Sequence, residues 1–220
     1  MNTQDPVLQR LIDQVRSTRK PLDIQGGNTK HFYGEIPQGE TLNMRPLNGI
    51  SSYEPSELVV TVRAGTRLAE LEARLGEKGQ CLPFEPPRFG PDGTVGGMVA
   101  AGLSGPSRVS VGCVRDYVLG TTVLNGQGEV LTFGGQVIKN VAGYDVSRVM
   151  AGSLGVLGVI CEVSLKVLPL ATATATRVFA LDEAVAMKQL NAWAGQPLPI
   201  NASAWHQGQL HLRLAWRRPL

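Results

Sequence analysis

The chain has 220 residues, of which 43% are apolar, 18% charged and 5% aromatic, with a formal net charge of +3. That length supports one large or two smaller cores, the scattered Lys and Arg exclude a nucleic-acid stripe, and no apolar run reaches the ~18 residues of a membrane span. The 26 glycines and 14 prolines are aperiodic and lie between apolar runs, which excludes collagen and general disorder and predicts tight turns and close backbone approaches.

Asp5-Pro6 predicts a helix start, with Asp as N-cap and Pro in the first turn. Val7, Leu8, Leu11, Ile12 and Val15 share one face, and the helix is expected to end between Ser17 and Lys20, before Pro21. Asp5, Arg10, Asp13 and Arg16 interrupt any signal-peptide pattern. A short strand, Leu22 to Ile24, runs into Gly26-Gly27-Asn28-Thr29-Lys30, and Leu58 to Val62 reads as a β-branched strand. Thr66 is the expected cap of a helix carrying Leu68, Leu71 and Leu75, with Gly76 and Gly79 as stop signals.

Pro83 to Pro91 holds four prolines and reads as irregular. Thr94 to Gly102 reads as a turn entering a short helix of small residues. Tyr117–Leu124 and Val130–Phe133 predict a hairpin around Asn125-Gly126-Gln127-Gly128. A glycine-rich stretch from Gly143 to Gly158 precedes an alternating strand, Val159 to Leu168. The Ala171–Thr176 run is a linker or an edge strand. From Arg177 a β-α-β-like unit begins: Val178–Ala180, Leu181–Trp193 and Leu210–Leu214. The alternation argues α+β or α/β, with a boundary near residue 170 that divides 1–170 from 171–220.

Three glycine clusters carry most of the chemistry. Gly26-Gly27-Asn28-Thr29 follows a strand, where bare amides suit phosphate oxygens, or where the chain simply makes a tight turn. Pro91-Asp92-Gly93-Thr94-Val95-Gly96-Gly97 opens a helix, which suits an anion or close helix–sheet packing. Gly152-Ser153-Leu154-Gly155-Val156-Leu157-Gly158-Val159-Ile160 permits close contact with a flat ligand, or a turn into the next strand. There is no P-loop, no GxGxxG with a downstream acid, no HExxH and no GxSxG. His31, His206 and His211 lack metal spacing, so no metal is expected. Cys81, Cys113 and Cys161 are far apart with no CxxC pair, which fits a reduced, cytoplasmic protein and leaves no iron–sulfur ligand set.

Taken in order, these clusters together with Lys139-Asn140-Val141-Ala142-Gly143-Tyr144-Asp145 resemble the FAD-binding domain of the vanillyl-alcohol oxidase/para-cresol methylhydroxylase (PCMH) type. The resemblance covers residues 5 to 170 and is greatest to the smaller FAD-binding subunits of bacterial glycolate oxidases. It implies an α+β PCMH-type domain of two subdomains over 1–170. Residues 171–220 would begin an α/β cap domain, incomplete because relatives continue for more than a hundred residues.

The resemblance further implies that Gln25, Gly26, Gly27, Asn28, Thr29 and Lys30 wrap the FAD pyrophosphate. Pro91, Asp92, Gly93, Thr94, Gly96 and Gly97 would contact the pyrophosphate and flavin side. Gly152, Ser153, Gly155, Gly158, Val159 and Ile160 would line the adenosine and ribityl regions, with Gly143, Tyr144 and Asp145 supporting that wall. Members that attach flavin covalently often carry His where Asn28 stands, so the implied FAD is noncovalent, with His31 and Cys113 as the remaining attachment candidates.

The implied reaction oxidises glycolate or a similar small 2-hydroxy acid, giving glyoxylate, with electrons leaving to a partner Fe–S subunit. The implied partners are that subunit and a larger FAD-binding subunit, with no nucleic acid, and with association at the inner membrane only through them. No general base is evident; Tyr144 and Arg115 are available, but each reads first as structural. The other readings are a non-catalytic FAD scaffold or electron relay, a D-lactate dehydrogenase-like enzyme, and a nucleotide module without redox activity.

Overall fold

Asp5 starts the first helix by accepting the N–H groups of Val7 at 2.8 Å and Leu8 at 3.3 Å, with Pro6 as the first helical residue. In the computed structural model, which describes residues 4–135 and 144–216, α1 spans Pro6–Ser17. Arg63 pairs with the same carboxylate at 2.7 Å. The Val7 N–H holds the Asp5 carboxyl below its ordinary value; burial opposes this, and the Leu8 N–H and Arg63 add to it. Asp5→Ala is expected to destabilise the protein by about 1 kcal/mol as a lost cap. Because the folded pKa is depressed, this contribution is complete above the unfolded Asp value of about 3.9 and is lost as pH falls through the lower folded value. Thermal unfolding across acid pH would read it: the gap between parent and variant should close as the solution is acidified.

β1 (Leu22–Gln25) and β2 (Glu40–Asn43) pair in parallel. β3 (Ile50–Glu54) and β4 (Val59–Arg63) pair antiparallel. They are followed by α2 (Leu68–Gly76), β5 (Gln80–Cys81), α3 (Val95–Ala101) and the short helices α4 (Arg108–Val111) and α5 (Val114–Tyr117). Next come the predicted hairpin, β6 (Val118–Leu124) and β7 (Val130–Gly134), then α6 (Val146–Val149), β8 (Val159–Lys166) and β9 (Leu168–Pro169). The main sheet is antiparallel with the order β3-β4-β8-β6-β7.

Thr66 does not cap α2. Its hydroxyl exchanges hydrogen bonds with the Gly49 backbone instead, at 2.9 and 3.1 Å, and Arg67 takes the N-cap position without a side-chain bond. β8 also departs from the alternation expected of a half-buried strand: Val159 through Leu165 are all buried. β8 is central, and both of its faces are covered. Ile160, Val163 and Leu165 pack with Leu71 and Leu75 of α2 and Val95 and Val99 of α3. Val159 and Cys161 pack with Leu8, Leu11, Ile12 and Val15 of α1 and Leu42 of β2. Opposite β6, Thr122 pairs with Glu162 and Val123 with Ile160, so Cys161 is a bulge residue. Burial pushes its thiol up to about 12.

The Ala171–Thr176 alternative resolves toward a strand: β10 (Ala173–Ala180) forms one edge of a three-stranded antiparallel sheet. The chain continues through α7 (Glu183–Ala194), β11 (Ile200–His206) and β12 (Gln209–Trp216), giving the order β10-β12-β11. This sheet meets the rest of the chain where Arg213 donates to both Glu85 oxygens, at 2.6 and 2.8 Å, and where the Ser110 hydroxyl donates to the Asn201 carbonyl at 3.0 Å. Among the described residues no helix is long and apolar enough to cross a membrane. Lys139 to Gly143, which belong to the fourth motif of the resemblance and include Gly143 of the expected cofactor wall, and Arg217–Leu220 lie outside the described residues.

Candidate functional site

β1 delivers the chain to Gly26 and Gly27, where two neighbours require glycine. A Cβ on Gly26 would lie 2.3 Å from the Thr94 Oγ1, and one on Gly27 would lie 1.6 Å from the Asp92 carbonyl oxygen. The loop after β1 is therefore seated directly on the loop before α3. Asn28 then takes a left-handed conformation, φ 58°. Behind the loop, Arg45 donates from Nε to the Gly26 carbonyl at 3.1 Å and from Nη2 to the Gly27 carbonyl at 3.3 Å. In a trans peptide the N–H lies opposite the C=O, so the amides of Gly27 and Asn28 point away from Arg45. The Gly27, Asn28 and Thr29 amides have no hydrogen-bond acceptor among the described residues. Successive open amides of this kind form an anion-binding concavity.

These amides border a cleft of about 470 Å³, a size typical of small-molecule and cofactor sites. Gln25 to Lys30 line it from one side, Thr94, Gly96 and Gly97 from a second, and Leu154 to Val156 with Gly158 and Ile160 from a third. Ile24, Ala100, Ala101, Val156 and Ile160 give it apolar walls. Lys30 is its half-buried cation. Burial holds the ammonium below its ordinary value, and no carboxylate pairs with it among the described residues.

A charge kept in such a place is unfavourable until an anion arrives. Lys30→Met is therefore expected to leave the flavin-free protein as stable as the parent or slightly more so, while weakening its binding of a diphosphate ligand by ~10-fold, about 1.4 kcal/mol. Thermal unfolding without ligand and fluorescence titration with FAD separate the two effects. A simultaneous loss of stability and affinity would assign Lys30 a structural role.

The helix entry differs from the expected anion site. The first-turn amides of α3 are all engaged: Val95 N–H to Thr66 O at 2.9 Å, Gly96 N–H to Ala64 O at 2.8 Å and Gly97 N–H to Thr94 Oγ1 at 3.2 Å. Gly96 serves close packing of α3 on the turn after β4, since its Cβ would lie 2.6 Å from the Ala64 Cβ. Thr94, Gly96 and Gly97 thus offer the cleft a surface free of bulky side chains, and the first-turn amides of α3 are not among its open donors.

Six of the expected cofactor residues do not line the cleft: Pro91, Asp92, Gly93, Gly152, Ser153 and Val159. Asp92 backs Gly27 and pairs with Arg67 at 3.2 Å. The Gly93 carbonyl accepts the Leu68 N–H at 2.8 Å and so ties this loop to α2. Gly152, φ 85°, lies where a Cβ on Gly102 would meet its Cα at 2.8 Å. Ser153 is buried with its Oγ unpartnered among the described residues, and Val159 belongs to the core beneath α1. Tyr144 projects into solvent with 97% of its surface exposed, and neither it nor Arg115 or Cys113 lines the cleft. His31 does line it, as do Asp23, Ala64 and the 33–38 segment. The direct sequence continuity of His31 to Gln38 with the glycine loop was the signal available for that segment.

Residues 4–134 match the FAD binding domain family. The chain is 49% identical to glycolate oxidase subunit GlcE of Escherichia coli (strain K12), over 94% of this chain and 60% of that subunit. It is 36% identical to a D-lactate dehydrogenase of Anaerostipes hadrus, over 72% of this chain and 34% of that enzyme. It is 29% identical to glycolate oxidase subunit GlcD of Bacillus subtilis (strain 168), over 74% of this chain and 35% of that subunit. The chain thus spans from about a third to 60% of the length of these relatives. The open amides, the unpaired Lys30 and the apolar walls fit a dinucleotide that joins a diphosphate to a flat ring system. The chain belongs to the FAD binding domain family of the PCMH type, and its cofactor is FAD.

Proposed function

We propose that this chain is the FAD-binding subunit of an oxidoreductase that converts glycolate, or a closely similar small 2-hydroxy acid, to glyoxylate. The observation that carries the reading is the 49% identity to the E. coli glycolate oxidase subunit over 94% of this chain. When bound, FAD supplies the redox chemistry. The chain's own residues bind and orient it. The Gly27, Asn28 and Thr29 amides and Lys30 hold the diphosphate, and Ile24, Ala100, Ala101 and Ile160 keep water from the apolar part of the cofactor.

Electrons then pass to an Fe–S partner subunit, with a larger FAD-binding subunit completing the assembly. Any contact with the inner membrane is made through those partners. The FAD is held noncovalently, because Asn28 replaces an attachment histidine. Residues 1–170 form the cofactor domain, and β10 to β12 with α7 belong to the cap. A second reading, an assisting FAD scaffold or relay, draws on the site itself. Among the described residues, the titratable side chains lining the cleft are Asp23, Lys30, His31, Tyr33 and Glu35, all of them on β1 and the segment that follows it. Asp23 already accepts the Gln25 amide.

The test is anaerobic addition of glycolate to the purified yellow protein. Bleaching by this chain alone supports a catalytic subunit, and bleaching only with the larger subunit supports the assisting role. No bleaching with either would overturn the 2-hydroxy-acid assignment. Flavin released on acid denaturation supports noncovalent FAD, whereas colour retained on the denatured polypeptide contradicts it.

A further inference from the structure

We infer that Arg45 is a positioning residue that sets the diphosphate-binding conformation of the loop after β1 from behind, without touching the ligand. The inference rests on the reading of Gly27–Lys30 as the diphosphate cradle. Arg45 does not line the FAD cleft. It lines a separate depression of about 220 Å³ on the other side of the loop, with Asn48, Arg67 and Asp92. From there its guanidinium spans two consecutive carbonyls, Gly26 O at 3.1 Å and Gly27 O at 3.3 Å. A planar fork is suited to such a double contact, and a single ammonium is not.

Arg45 is itself held in place. Its N–H donates to Asn43 Oδ1 at 3.1 Å, and its carbonyl accepts from Asn48 Nδ2 at 3.2 Å. Asn43 ends β2, which pairs with β1, so clamp and loop grow from adjacent strands. No carboxylate lies within ion-pair distance of Arg45 among the described residues; Glu70 and Asp92 line the same depression, and Asp92 pairs with Arg67.

Two consequences follow for the ligand. Fixing both carbonyls on one side fixes the Gly27 and Asn28 amides on the other, so the cradle is formed before FAD arrives and less ordering accompanies binding. The positive charge behind the carbonyls also strengthens the peptide dipoles that face the diphosphate. Two glycines in succession would otherwise leave this loop unusually free, and the clamp offsets that freedom.

The experiment compares Arg45→Met and Arg45→Lys with the parent, each as flavin-free full chain. FAD and riboflavin affinities are measured by fluorescence, with Lys30→Met as a control for the cradle and thermal unfolding as a control for folding. FAD affinity is expected to fall ~10-fold in Arg45→Met and by less in Arg45→Lys. Riboflavin, which has no diphosphate, should bind all of these proteins equally. A merely structural Arg45 would move both ligands together, and that result would overturn the inference. Lys30→Met weakening FAD while Arg45→Met does not would also overturn it and leave the cradle standing. Equal binding of FAD and riboflavin by the parent would remove both the cradle and the clamp.

Discussion

Alanine at position 27 is expected to release the flavin. The added Cβ would lie 1.6 Å from the Asp92 carbonyl oxygen and 2.9 Å from the Gly93 nitrogen. Both are backbone atoms, so no side chain can rotate aside. The loop after β1 must lift from the loop before α3, and this turns the Gly27 and Asn28 amides out of register with Lys30. Overpacking of this kind destabilises by about 1–3 kcal/mol. Losing two or three charge-assisted amide bonds to a diphosphate weakens FAD by ~100-fold or more, about 2.7 kcal/mol. Thermal unfolding of the flavin-free protein and FAD titration read the two parts separately. A Gly27→Ala protein that binds FAD as the parent does would mean that the loop is not seated on Asp92.

The second large effect is expected at Gly96, for a different reason. An alanine there would put its Cβ 2.6 Å from the Ala64 Cβ and 3.0 Å from the Ala64 carbonyl oxygen. The helix cannot simply withdraw, because the Gly96 N–H donates to that same carbonyl at 2.8 Å. Gly96→Ala is expected to destabilise the protein by about 1–3 kcal/mol. Ala64→Gly introduced into that variant should recover part of the loss, since it removes the nearest atom and leaves the carbonyl. Alone, Ala64→Gly should destabilise modestly, by about 0.5–1 kcal/mol. The double-mutant cycle is thus expected to be strongly non-additive. Additive effects would mean that Gly96 is not packed against Ala64, and the contact of α3 with the turn after β4 would lose its support.

The longer helices α1, α2 and α7 and the small-residue helix α3 were legible from caps, periodicity and composition, though not the cap of α2, and the one-turn helices α4, α5 and α6 were not. Asp5-Pro6 and the Leu8, Leu11, Ile12, Val15 face are local signals, and α1 follows them closely. β2 and β3 were not legible: Glu40-Thr41-Leu42-Asn43 and Ile50-Ser51-Ser52-Tyr53-Glu54 have too few apolar residues to announce strands, and neighbours supply their pairing. β11 was missed likewise, because Ala202, Ser203 and Ala204 carry little pattern and Ala204 to His206 are exposed. At the site, the sequence located the glycine clusters but not what each glycine faces. Gly27 and Gly96 read alike along the chain. One opens its amide to the cleft, and the other gives up its Cβ space to Ala64 across 32 positions. Arg45 carried no signal at all, since its partners are carbonyls rather than side chains.

The central claim is that the diphosphate of FAD rests on the loop after β1 and not on the entry of α3. Backbone amide resonances of the labelled chain, followed as FAD and then riboflavin are added, test it most directly. The Gly27, Asn28 and Thr29 amides should shift strongly with FAD and little with riboflavin, while the Val95, Gly96 and Gly97 amides keep their internal partners. Large diphosphate-dependent shifts at Val95 to Gly97, with Gly27 to Thr29 unmoved, would contradict the account.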